Sequence, residues 1–126
     1  MAGVLVKIFD DWASTPCDER PCGLSIWDYC ALKSGRDLPK LPEHQSRQDM
    51  LKLLRPYGGL EGYVRHLMDE QGWEETDDPV QGDVGLVKIK GVGTICAIKV
   101  ENGWAIRGNQ LVAITSADEV LGAWRL

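Results

Sequence analysis

The residues of this chain that could carry covalent or metal chemistry are Cys17, Cys22, Cys30 and Cys96, with His44 and His66. Among them Cys22 stands where a nucleophile works. Pro21-Cys22-Gly23-Leu24-Ser25 opens an apolar helical run, and a helix N-terminus offers unpaired N–H groups and about half a positive charge, which favour thiolate over thiol. The same position also suits a small buried hydrophobe, so the choice turns on a base. His66 has Gly62 and Tyr63 one helical turn before it and Asp69 and Glu70 one turn after, a polar set that reads as a solvated surface. His44 lies in a proline-rich loop. Loops do carry catalytic groups, which makes it the better candidate base of the two.

Metal chemistry is less well served. Cys22 and Cys30 stand eight residues apart on one predicted helix, about 12 Å at ~1.5 Å per residue, whereas thiolates on one metal with ~2.3 Å bonds lie within about 4 Å of each other. They do not share a zinc ion, and neither a metal nor another cofactor is expected. Cys17 and Cys22, across a proline-flanked loop, could meet each other or a ligand from a partner chain. Cys96 falls in a predicted strand and reads as core.

The elements that must position these residues belong to one domain of 126 residues, long enough to bury a core without staples. Its formal charge of −5 and lack of any basic cluster argue against nucleic acid as a partner. Met1 to Phe9 is apolar, but Lys7 and Asp10-Asp11 interrupt it before a signal peptide or a membrane span could be completed. A soluble protein made in a cytoplasm, with free thiols, is the expectation.

The first half, about 1–72, reads as helical. Val4, Leu5, Ile8, Phe9 and Trp12 share one face of a helix over 3–13. A second helix runs from about Cys22 to Lys33 and stops at Ser34-Gly35. Ser46-Arg47-Gln48-Asp49 resembles a capping box for a third helix that Pro56 ends. Gly58-Gly59 turns the chain into a fourth, reaching about Gln71. Residues 73–81 read as an irregular acidic connector. Residues 82–126 read as a small sheet, with strands at Val84–Ile89, Ile95–Val100, Trp104–Arg107 and Leu111–Thr115. Asn102-Gly103 is a tight-turn signal. Ser116 to Glu119 is predicted as one helical turn, and Ala123 to Leu126 as a strand at the sheet edge. Of the five tryptophans three are expected in the core. Trp73, beside Glu74, Glu75, Asp77 and Asp78, is either an interface anchor framed by those carboxylates or a cover for the end of the fourth helix.

A cysteine opening a packed helix, followed by a small antiparallel sheet, resembles the NlpC-type papain-like fold of peptidoglycan peptidases. The chain is more similar still to a small phage-associated family at the margin of that superfamily. Cys22-Gly23-Leu24-Ser25-Ile26-Trp27-Asp28-Tyr29 and Ser34-Gly35-Arg36-Asp37 carry the likeness, with Gly58-Gly59-Leu60-Glu61, Gly82-Asp83-Val84 and Ala123-Trp124-Arg125-Leu126, over roughly residues 3–126. The resemblance implies an α+β, papain-like (NlpC-type) domain, its helical N-terminal half packed on a small antiparallel sheet, with Cys22 in the nucleophile position. The peptidase histidine would fall in the stretch Thr94-Ile95-Cys96-Ala97-Ile98, which holds none. Pro21 stands where an Asp usually precedes the cysteine, and Cys17-Asp18 where Trp-Gly is usual. Without an imidazole a thiol lacks the base that acyl transfer depends on.

The likeness therefore implies a structural component of a phage tail tip or tail hub. Such a protein is made in the host cytoplasm, held in the virion and partnered by other tail proteins. The other function it implies is an active cysteine peptidase that cuts peptidoglycan stem peptides during phage entry.

Overall fold

The computed structural model describes residues 22–39, 41, 47–91, 93–108 and 111–126. The predicted helix over 3–13, Cys17, His44 and the start of the capping box at Ser46 lie outside them. The described helices are α1 (Cys22–Ser34), α2 (Arg47–Leu54) and α3 (Leu60–Gln71), with a 3-10 turn at Arg55–Tyr57 between the last two. The strands are β1 (Glu74–Glu75), β2 (Val84–Ile89), β3 (Gly93–Val100), β4 (Gly103–Gly108), β5 (Leu111–Thr115) and β6 (Glu119–Arg125).

Helix ends follow local chemistry. Gly35 adopts φ +68 and returns its N–H to the Ala31 carbonyl at 3.0 Å, closing α1 where the glycine signal sits. Pro56 has no N–H to continue α2, so the chain tightens into the 3-10 turn. A Cβ at Gly62 would collide with the Tyr57 carbonyl, so only glycine lets α3 fold back this closely on that turn.

All strand pairings are antiparallel, in the order β1-β6-β2-β3-β4-β5. Three expectations are corrected here. Residues 74–75 form a strand paired with β6 (Glu74 opposite Arg125, Glu75 opposite Trp124), so the start of the acidic connector belongs to the sheet while residues 76–81 are irregular as expected. The C-terminal strand lies inside the sheet, because β1 flanks it on one side and β2 on the other. The helical turn expected at 116–119 is also absent: β6 begins at Glu119, and Asp118 N–H bonds the Lys88 carbonyl at 2.9 Å. Sheet pairing with β2 outcompetes a one-turn helix, which would gain a single internal bond.

The connection from β5 to β6 forces the sheet to curl. The two strands stand four spacings apart, about 19 Å at ~4.8 Å each in a flat sheet, yet the chain from Thr115 to Glu119 spans at most about 14 Å. Curling gives the sheet two apolar faces. On one, Trp124, Val84, Ile98 and Ala105 line up in register, and Trp124, Val84 and Ile98 pack, with Leu86 and Cys96, against Ile26, Tyr29 and Cys30 of α1 and Val64 and Met68 of α3. On the other, Val87, Ile89, Ala97, Trp104, Ile106 and Ala123 form a second core. Trp104 lies across Gly85, where a Cβ would meet its indole carbons at 2.5 Å. The fold is thus α+β with a helical half against an antiparallel sheet, as the sequence predicts.

Candidate functional site

The helix that begins at Cys22 and the strand where a catalytic base would be expected do meet. α1 packs on β3, and the groups they bring together are Cys30 and Cys96, both free thiols within one apolar cluster. Cys30 is fully buried. Burial, then the neighbouring Cys96 thiol, pushes the Cys30 thiol far above its usual range, only partly offset by a backbone hydrogen bond. Burial pushes the Cys96 thiol up to about 12. Both sulfurs are therefore neutral at physiological pH, and a neutral thiol is a packing group rather than a nucleophile.

Next to Cys30, Tyr29 is also fully buried, and its hydroxyl donates to the Gly82 carbonyl at 2.7 Å. Burial, then Cys30 and Asp83, raises its pKa above the ordinary phenol value. This bond ties α1 to the turn that opens the sheet. Asp83 holds the other side of that turn: only 2% exposed, it accepts from Val80 N–H at 2.8 Å and from Arg125 Nη2 at 3.1 Å, while its own backbone pairs with Lys99. Asp83→Ala leaves the Val80 N–H without its acceptor and removes the side-chain tie to Arg125 at the end of the β2–β6 ladder. We expect it to cost about 1–3 kcal/mol, read as a lowered urea midpoint with unchanged m-value. An unmoved midpoint would show the carboxylate to be dispensable.

Cys22 is the first described residue of α1, while His44 lies outside the described residues. His66 is exposed on α3, its Nε2 3.0 Å from Glu70 Oε1 and its ring 4.9 Å from that of Tyr57, which agrees with a solvated surface. Trp73 is a correction. It is 7% exposed, edge-to-face with Trp27 at 6.1 Å and covered by the Arg36 guanidinium at 5.4 Å. Its ring covers the end of α3 inside the chain and is no exposed anchor. Glu74, Glu75, Asp77 and Asp78 remain exposed, with Glu75 held by Arg65 Nη1 at 3.0 Å.

Two residues that sequence reading passed over organise this region. Arg65 bonds Glu75, donates to the Leu121 carbonyl at 2.7 Å and lies 5.6 Å over the Trp124 ring. Arg36 bonds the Gln71 carbonyl at 2.6 Å while covering Trp73. The available signal was Gly122, whose missing side chain leaves room for both Arg65 and the Trp124 indole. Among the described residues no cluster of three His, Cys, Asp or Glu side chains could hold a metal ion, and no helix is long and apolar enough to cross a membrane. Comparison with known proteins gives no match to a family model, a curated protein or a solved structure.

Proposed function

We propose that the chain is a structural component of a phage tail tip or tail hub, built on an NlpC-type peptidase fold without the catalytic base. The observation that carries this reading is Cys96. It stands on β3 in the stretch where the peptidase histidine is expected, and its thiol is shielded and neutral. The order of motifs from Cys22 to Leu126 supports the family, and the exposed outward His66, paired with Glu70, is already engaged at the surface. Function resides in sites and not in folds, so a fold kept without its chemistry is kept for its surface. The exposed carboxylates of Glu74, Asp77 and Asp78, beside the exposed Val80, offer an acidic contact for a basic patch on another tail protein. A stable contact of this kind buries roughly 1,200–2,000 Å² in total.

The test has two parts. Purified chain incubated with muropeptides is expected to leave their stem peptides intact, and antibody labelling of purified particles is expected to find it at the tail tip. Cleavage that Cys22→Ala abolishes would overturn the reading in favour of the active peptidase, with His44 as the base to examine. Absence from particles would remove the tail assignment.

A further inference from the structure

We propose that β5 is a dimerisation edge, at which two copies of this chain pair their β5 strands antiparallel about Ala113 and join their sheets. The inference starts from the inequality of the two sheet edges. At one end stands β1, two residues long and both of them exposed Glu. Short length and charge are the means by which proteins protect an edge from pairing. At the other end stands β5, Leu-Val-Ala-Ile-Thr, without a charge or a proline and in continuous register with β4 from Gly108 opposite Leu111 to Trp104 opposite Thr115. Among the described strands it is hydrogen-bonded on one side only. Ile114 is 57% exposed, at the outer end of the row that runs through Val84, Ile98 and Ala105.

The ladder shows which backbone groups are available. The β4–β5 connection has two residues between Gly108 and Leu111, and such a hairpin closes on a hydrogen-bonded pair. With strict alternation, Leu111, Ala113 and Thr115 bond inward to β4. The N–H and C=O of Val112 and Ile114 then point out of the sheet.

A second copy fits this edge for a reason of register and charge. Antiparallel pairing about Ala113 puts Val112 opposite Ile114 of the other copy, and each such pair exchanges two hydrogen bonds. It puts Leu111 opposite Thr115, and Ala113 opposite Ala113. The two Val112–Ile114 rungs are β-branched on both sides, a favourable cross-strand combination, and the remaining rungs carry no charge. No like charges meet, although each chain carries a formal −5. The β1 edge offers nothing equivalent, since pairing it with itself sets Glu against Glu, and pairing it with β5 provides only two rungs. Five rungs are fewer than a standard interface of ~800 Å² per partner requires, so the dimer is weak and reversible. The proposal does not depend on the tail assignment.

Sedimentation velocity over a wide concentration range tests it, together with amide exchange. The wild-type chain is expected to dimerise with rising concentration, and the Val112 and Ile114 amides to become protected in step while Ala113 is protected throughout. Ile114→Glu, at an exposed position, is expected to weaken the dimer by at least ~tenfold. Val112→Lys added to Ile114→Glu in the same chain is expected to restore it, because each Glu then faces a Lys of the other copy. A wild-type chain that stays monomeric at millimolar concentration would overturn the proposal. So would a dimer indifferent to Ile114→Glu, or Val112 and Ile114 amides protected in the monomer, which would mean that another segment of the chain covers the edge.

Discussion

Trp73→Ala is expected to lower the unfolding free energy of the isolated chain by about 3–5 kcal/mol, the range for deleting a buried aromatic ring. The ring packs edge-to-face on Trp27, whose own Nε1 donates to the Pro39 carbonyl at 2.9 Å, and it supports the Arg36 guanidinium. Truncation removes the aromatic pair, leaves a cavity at the end of α3 and frees Arg36 from its platform. Against a total stability of about 5–15 kcal/mol such a loss is large. Urea unfolding of wild type and variant measures it. A change under about 1 kcal/mol would mean that the indole is not part of the core, and would reopen its role as a surface anchor.

The second large effect is with pH. In the unfolded chain the Cys30 and Cys96 thiols ionise near 9, whereas in the fold Cys96 is raised to about 12 and Cys30 is also strongly raised. The stability their neutral forms provide is fully present below about pH 9. Above it the unfolded chain binds fewer protons than the native one, so stability falls as pH rises, until the folded thiols themselves ionise. Each thiol removes up to ~1.4 kcal/mol per pH unit, and by pH 10.5 the two together remove roughly 4 kcal/mol relative to pH 7. Tyr29 adds a loss of the same sign above its ordinary value of 10.0. Thermal unfolding from pH 7 to 10.5 should show this fall, and Cys30→Ala with Cys96→Ala should flatten it despite a lower stability at pH 7. An equally steep fall in the double variant would refute the assignment to these thiols.

Much of the fold was legible because local signals and tertiary packing agreed. Gly35 and Pro56 end helices where they stand, Asn102 and Gly103 separate β3 from β4, and the alternation from Val84 to Ile89 marks a strand. The failures lie where a partner distant in sequence decides. Glu74 and Glu75 have no strand signal of their own; their pairing with Arg125 and Trp124, about fifty residues on, makes them a strand. Trp73 was ambiguous because its burial depends on Trp27 and Arg36, neither near it in sequence. For the candidate site the sequence placed Cys22 at the head of α1 and found no histidine in the β3 stretch. It did not reveal that Cys30 meets Cys96, since the rotation of α1 against the sheet is set by packing.

The position of β6 between β1 and β2 also sets the order in which the molecule can be assembled. β2 lacks one of its two neighbours, and the helix-facing core lacks Trp124, until residues 119–125 have been synthesised. Up to that point β1 has no partner at all among the described strands, and the apolar run of β2 has an open side. Pairings between segments this far apart must overcome the entropy of closing the intervening loop, which makes them slow. The fold is therefore completed only once residues 119–125 have left the ribosome, and until then β2 and β5 are the segments through which the chain would aggregate.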